Sequence, residues 1–192
     1  DTLGFPLHYL ANEMSPRMPA IVYLHGFTGC RDSHLDVRMG LADLGFLVVS
    51  FDASRHGERG ALPDLWNSCR KSFLATFARV IAETSDDVVR VVGVLREDSR
   101  VDGERIGLVG GSMGGMVCLM TVPRCAGLRV AVSMAGTVDF LRWVEETSGR
   151  ALYDFRTGRI DGELRTLLRE YDAIHHLDRF APVPLLLVHG GK

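Results

Sequence analysis

The strongest indication of the fold comes from residues 106–115, Ile106-Gly107-Leu108-Val109-Gly110-Gly111-Ser112-Met113-Gly114-Gly115. An aliphatic run leads into glycines that surround a single serine, and a small, apolar segment follows. This order predicts a strand, a sharp turn and a helix. Residues 110–114 also fit the pattern G-x-S-x-G, in which glycines leave room for neighbouring backbone and the turn lifts the serine hydroxyl clear of the sheet.

Ser112 is therefore the candidate nucleophile. The amide of Met113 would lie at the start of a helix, where unsatisfied N–H groups point towards a developing negative charge. The alternative is a glycine-rich turn with an incidental serine, since a five-residue pattern often matches by chance. A strand before the turn and a helix after it would favour the nucleophile.

The composition predicts a single globular domain without a nucleic-acid partner or a membrane span. The 192 residues are 46% hydrophobic, which suits one globular domain, and a net charge of −2 argues against a nucleic-acid partner. The longest apolar runs are too short for a membrane span. Four cysteines without metal-ligand spacing predict free thiols in a reducing, cytoplasmic setting, and the first residues show no leader pattern.

No cofactor is predicted. The glycine cluster is not the dinucleotide pattern G-x-G-x-x-G, and no phosphate-binding loop of the form G-x-x-x-x-G-K-[ST] occurs. The sequence leaves the oligomeric state open.

Outward from the turn, strands alternate with helices. Buried strands are predicted at 20–24, 46–51, 129–135 and 184–190, with a weaker one at 7–10. Helices are predicted from a cap at Asp32 or Ser33 to Gly45, and over 68–97 with a bend near Thr84-Ser85. Pro16 and Pro19 should break any element. This alternation predicts an α/β fold: a mostly parallel, doubly wound sheet with helices on both faces.

Loops at the carboxyl edge of such a sheet bind ligands. The chemically suggestive ones are His25-Gly26-Phe27-Thr28-Gly29, Asp52 to Gly60 with Arg55-His56-Gly57-Glu58, the turn at 110–114, and residues 136–140. Val188-His189-Gly190 is a further motif, at the end of the last predicted strand. In this order the motifs resemble an α/β-hydrolase over nearly the whole chain. The loop at 55–60 and the long helix after it resemble bacterial esterases of the dienelactone-hydrolase and prolyl-oligopeptidase-like branch.

The resemblance implies a serine hydrolase that cleaves a small-molecule carboxylic ester through an acyl-enzyme on Ser112. The backbone amides of Phe27 and Met113 would form the oxyanion hole. The family order is serine, acid, histidine. We therefore expect an Asp within a few residues after Lys192 and a His further on, with the C-terminal part of the fold missing from this sequence.

Residues inside the chain offer weaker substitutes for the missing partners. Asp139 could be the acid, although capping of a helix that begins at Phe140 is the better explanation. His175 and His176 fit a solvated helix end. We expect His25 and His56 to brace their loops by hydrogen bonds and His189 to be packed or bonded to the backbone at a strand end.

The substrate pocket is expected to be apolar, with Trp66, Phe140 and Trp143 beside Phe27 and Met113, and residues 137–180 forming a small cap or pocket-forming insert in a single domain. A thioesterase, an acyltransferase or a peptidase would use the same nucleophile. A non-catalytic binding protein on the hydrolase fold is the alternative from another class.

Overall fold

A computed structural model describes residues 3–147 and 161–190 of the protein. Within those residues, six strands form one sheet in the order β1-β3-β2-β4-β5-β6. The strands are β1 (His8–Leu10), β2 (Met18–Leu24), β3 (Leu47–Ser50), β4 (Val101–Gly111), β5 (Leu128–Met134) and β6 (Leu185–Val188). Only β1 runs antiparallel to its neighbour, which confirms the predicted mostly parallel sheet.

Helices cover both faces of this sheet. They are α1 (Leu35–Asp43), α2 (Leu62–Lys71), α3 (Phe73–Glu97), α4 (Met113–Thr121), α5 (Phe140–Thr147) and α6 (Gly162–Tyr171), with 3₁₀ turns at Gly57–Arg59, Val122–Arg124 and Ala173–Arg179. The larger core, which includes Val22 and Leu108, lies against α3 and α4. A smaller core with Tyr23 and Val48 lies against α1. In the described part of the chain, no helix is long and apolar enough to cross a membrane.

The predicted helix over 68–97 is two helices. Ser72 has an extended backbone, and its Oγ accepts the Ala75 N–H at 3.3 Å, so it ends α2 and caps α3. α3 continues without a break through Thr84-Ser85, where a bend is predicted. The Thr84 hydroxyl donates to the Val80 carbonyl of the same helix at 2.6 Å, and the Ser85 hydroxyl bonds to that of Thr121 in α4 at 3.0 Å, so both hydroxyls have partners.

The predicted start of α1 is wrong and its predicted end is right. His34 occupies the cap position without a side-chain hydrogen bond, while the Ser33 Oγ accepts the Cys30 N–H at 2.9 Å in the preceding turn. Gly45, with a φ of 88°, ends the helix, and its N–H donates to Ala42 at 2.9 Å.

Two strands differ from expectation. Pro19 lies inside β2 instead of breaking it, because a shift of register between Met18 and Ala20 accommodates a residue without an N–H. The composition of β6 predicts a buried strand; within the described residues it pairs with β5 alone, and its four side chains are 38–55% exposed.

The proposed insert at 137–180 contains α5, α6 and the last 3₁₀ turn. Residues 148–160 fall outside the described residues. The assignment of 137–180 as a cap or pocket-forming insert stays a prediction.

Candidate active site

Ser112 lies at the turn between β4 and α4, so the predicted strand, turn and helix are confirmed. Its φ of 53° and ψ of −118° are unusual for a residue with a side chain and cost on the order of 1–3 kcal/mol. The turn is held on both sides: the Ser112 N–H donates to the Met134 carbonyl of β5 at 2.7 Å, and the Ser112 carbonyl accepts the Met116 N–H at 3.0 Å.

The flanking glycines are required by close backbone contacts. A Cβ at Gly110 would overlap the Gly114 carbonyl, and a Cβ at Gly114 would overlap the Leu24 carbonyl of β2. At Gly115 it would lie 2.8 Å from the Ser133 hydroxyl. The elbow therefore fits against its neighbouring strands only because these positions lack side chains.

The loop after β2 lies directly beside Ser112. A Cβ on Gly26 would be 3.7 Å from the Ser112 Cβ and 3.6 Å from the Gly111 carbonyl. Phe27 follows Gly26, and Met113 follows Ser112, so the structure brings the backbone of both predicted oxyanion donors next to the serine. Their role as donors stays a prediction.

Two buried histidines connect this loop to the loop after β3, as predicted. The His25 Nδ1 is 2.8 Å from the Gly26 carbonyl and its Nε2 accepts the Ala53 N–H at 3.0 Å. The His56 Nε2 accepts the Thr28 N–H at 3.1 Å. Burial is the main cause that lowers the pKa of His25, to about 4, and it also lowers the pKa of His56. Both rings are therefore neutral at pH 7.

Asp52 is the main hydrogen-bond acceptor in the loop that follows β3. Its buried carboxylate accepts the N–H groups of Arg31 at 2.8 Å and Glu58 at 3.0 Å, and it pairs with the Arg31 guanidinium at 3.3 Å. Gly57, at a φ of 53°, passes so close that a Cβ there would overlap this carboxylate. Arg31 and Asp52 thus join the two loops beside Ser112 by an ion pair that the sequence analysis did not identify.

The aromatic residues predicted for the pocket belong to one cluster. The Phe27 ring is 5.8 Å from Trp66 and 5.1 Å from Phe77, and Phe77 in turn is 5.9 Å from both Phe140 and Trp143. Phe140 is fully buried, so it packs inside the cluster and does not form a wall open to substrate. Met113 is also fully buried, which corrects the expectation that its side chain lines a pocket.

A cleft of about 630 Å³ lies at the carboxyl ends of β5 and β6. It begins at Ala135, one residue after the Met134 carbonyl that holds Ser112. Trp143 is on its wall, together with Thr137, Asp139, Arg142 and His189. His189 therefore lies at the cleft and is exposed, contrary to the expectation of a packed strand-end residue.

Asp139 is placed as a helix cap. Its Oδ1 accepts the Arg142 N–H at 3.0 Å at the start of α5. The neighbouring acid that sequence reasoning missed is Asp172, which is 1% exposed and accepts the Phe140 N–H at 2.9 Å. Asp172 follows the amphipathic α6, but nothing in its own sequence surroundings indicates that the carboxyl is buried.

The described histidines do not partner the serine. Within residues 3–147 and 161–190, no histidine is hydrogen-bonded to the Ser112 hydroxyl, and both nitrogens of His25 and His56 are engaged with backbone groups. His176 bonds to the Glu170 carbonyl at 2.9 Å in an exposed 3₁₀ turn, as expected for a solvated helix end.

Known proteins resemble this chain in sequence. It matches the model of the prolyl oligopeptidase family over residues 78–192. It is 27% identical over 145 residues to YitV of Bacillus subtilis, whose name assigns it provisionally to the esterases; the match covers 74% of this chain and 55% of that protein. It is 24% identical over 185 residues to the Escherichia coli esterase YjfP, covering 95% of this chain and 71% of that one. The chain thus spans about half the length of YitV.

Solved structures share the fold. Acetyl xylan esterase 1 of Thermoanaerobacterium superposes with a TM-score of 0.70 and 16% identity, over 97% of this chain and 72% of that one. A puromycin-hydrolyzing peptidase of Mycobacterium tuberculosis superposes with a TM-score of 0.69 and 21% identity, over 96% of this chain and 28% of that one. These likenesses confirm the predicted α/β-hydrolase fold.

Proposed function

Because the chain belongs to the prolyl oligopeptidase family, whose members include esterases and peptidases, we propose that it is a serine hydrolase that cleaves carboxylic esters through an acyl-enzyme on Ser112. The observation that carries this proposal is the elbow. Ser112 has a strained φ of 53° at the carboxyl edge of the central strand, between glycines that admit no side chain. Strain of this kind persists at sites where geometry matters for chemistry.

In the proposed reaction the Ser112 hydroxyl attacks the ester carbonyl, and a histidine takes its proton. The alcohol leaves, and water then releases the acid from the acyl-enzyme. The amides of Phe27 and Met113 would stabilise the negative oxygen in both steps, each being worth on the order of 2.7–4 kcal/mol. Following the family order given above, we place the acid and the histidine after β6.

We propose a small-molecule ester as substrate, and neither a cofactor nor a nucleic-acid or membrane partner, for a cytoplasmic protein. The aromatic cluster around Phe27 supports an apolar acyl group of short to medium length. Trp66 and Trp143, both half-buried, are the members that could touch it.

Amide hydrolysis is the second candidate. Its support is the family itself and the structural likeness to a peptidase. The acyl-enzyme would be the same, so the leaving group separates the two functions: an ester requires only a small alcohol site, whereas a peptide requires an extended groove.

The first test is labelling of the full-length protein with a fluorophosphonate probe, followed by mapping of the modified residue. Ser112→Ala should abolish labelling and hydrolysis of p-nitrophenyl acetate. Ser68→Ala, on the exposed side of α2, is the control and should keep both. Labelling at another serine would refute the assignment of Ser112. No labelling at all would favour a binding protein, and faster turnover of peptide anilides than of esters would favour the peptidase.

A further inference from the structure

His25 and His56, which we name the histidine clasp, brace two loops reciprocally. His25 follows β2 and binds Ala53 in the loop after β3, while His56 in that second loop binds Thr28 in the first. The two rings are 5.3 Å apart at their centroids. Each histidine thus holds the loop that carries the other.

The hydrogen bonds fix the tautomer of each ring. A backbone N–H can only donate, so the Nε2 atoms that receive Ala53 and Thr28 carry no proton. The proton is then on Nδ1, which donates to the Gly26 carbonyl from His25 and to the Ser54 carbonyl from His56, both at 2.8 Å. Every ring nitrogen of the clasp therefore has one defined backbone partner.

These partners define the two peptide units on either side of Phe27. The Gly26 carbonyl and the Phe27 N–H belong to one planar trans peptide unit, so they point in opposite directions. The next unit contains the Phe27 carbonyl and the Thr28 N–H. His25 therefore fixes the first plane and His56 fixes the second.

The Phe27 ring is held in the aromatic cluster, but two features of the backbone leave the planes dependent on the clasp. The Gly29 N–H closes the turn onto the Gly26 carbonyl at 3.1 Å, and Thr28 has an unfavourable φ of 67°. A turn with a residue in the left-handed region relaxes when its surroundings stop enforcing it.

We propose that the histidine clasp consists of two positioning residues that aim the Phe27 N–H at the oxyanion, by fixing the peptide planes before and after Phe27. This inference rests on the proposed function, because it assumes an oxyanion beside Ser112. It assigns a task to each ring: His25 acts through its donor and His56 through its acceptor.

The clasp works only in its neutral form, and its surroundings keep it neutral. Burial is the main cause that lowers the pKa of both rings, and the nearby His56 ring adds a smaller lowering of the pKa of His25. The titratable groups that face them are Asp52, which favours protonation of either ring, and His34, which disfavours protonation of His25. Protonation of His56 would turn its Nε2 into a donor facing the Thr28 N–H.

Asparagine and glutamine variants test the two tasks separately. Asparagine can place an amide N–H near the position of Nδ1, and glutamine can place an amide oxygen near the position of Nε2. His25→Asn and His56→Gln should keep kcat on p-nitrophenyl acetate within about 3-fold. His25→Gln and His56→Asn should lower kcat by about 10-fold or more with KM changed less than about 2-fold, approaching the 10²–10³ lost with a whole oxyanion donor.

The outcomes separate the inference from the proposed function. Equal losses for Asn and Gln at each position would mean that the rings only fill space, and no loss in any variant would mean that they position nothing. Either result overturns the inference while Ser112 remains labelled. Amide exchange of Thr28 measures the clasp even in an inactive protein: it should accelerate by about 10-fold or more in His56→Asn and stay slow in His56→Gln, and unchanged exchange in both would also refute the clasp.

Discussion

Asp172 is a carboxyl group that the fold buries between two helix starts. It accepts the N–H of Phe140 in α5 and precedes the 3₁₀ turn at Ala173–Arg179. Burial, with a smaller effect from nearby Asp139, raises its pKa to about 7, although backbone N–H groups act in the opposite direction. The native protein therefore binds a proton here between about pH 4 and 7 that the unfolded chain has released.

Because the pKa of Asp172 is higher in the folded protein than in the unfolded chain, stability should change with pH. The free energy of unfolding should lose the Asp172 contribution as pH rises from about 4 to 7. Asp172→Asn carries no titrating proton and keeps an oxygen for Phe140, so it should gain about 1 kcal/mol or more relative to wild type between pH 5 and pH 8, measured by urea unfolding. Asp161→Asn, at the exposed cap of α6, is the control and should follow wild type. Parallel curves for Asp172→Asn and wild type would disprove the buried proton.

At the scale of elements, the junction of β4 and α4 requires glycines, because a Cβ would overlap neighbouring backbone there. α4 is buried along its whole length and begins immediately after Ser112, so the helix has no freedom to move away from β2. The Gly114 backbone lies against the Leu24 carbonyl, and this contact sets how close the elbow lies to the loop that carries Phe27.

Gly114→Ala should therefore unfold the protein or inactivate it, since the overpacking costs about 1–3 kcal/mol or more and displaces Ser112. Gly93→Ala is a matched change in the interior of α3, where a Cβ would meet nothing within 4 Å. It should stabilise the protein by about 0.5–1 kcal/mol, because alanine is the better helix former. Thermal unfolding and ester turnover of both variants measure the contrast; equal behaviour would contradict the elbow geometry.

At the scale of the whole molecule, β6 is the outermost strand of the sheet as far as the described residues extend. Its only partner among the described strands is β5, and Leu185 to Val188 are exposed apolar residues. An exposed apolar edge offers unpaired backbone groups to another chain. A polypeptide of residues 1–192 should therefore self-associate as its concentration rises.

Leu186→Lys should weaken this association, because it places a charge on the edge at a side chain that is 55% exposed. Met14→Lys adds the same charge at a side chain of similar exposure, 56%, in a turn before β2, and should have no effect. Sedimentation velocity at several concentrations distinguishes the two. Self-association that is equal in both variants would show that β6 is not the contact.

The sequence alone predicted where the strands lie along the chain, the mostly parallel sheet and the elbow, because these follow from apolar runs, glycine spacing and the rules of crossover connections. The end of α1 at Gly45 was predictable for the same reason. The helix break at Ser72 was not, since Ser72 and Ser85 look alike in sequence. Ser72 accepts the Ala75 N–H at the start of α3, whereas Ser85 bonds to Thr121 on another helix.

The residues of the candidate site divide in the same way. Ser112, Met113 and Phe27 were chosen from local motifs, whose geometry is determined by the backbone within a few residues. The tertiary structure alone decided that His25 and His56 each bond to the loop that carries the other, that Phe140 is buried and that the Asp172 carboxyl is buried beside the start of α5. Burial and long-range hydrogen bonds depend on which elements meet, and a pattern of neighbouring residues in the chain does not contain that information.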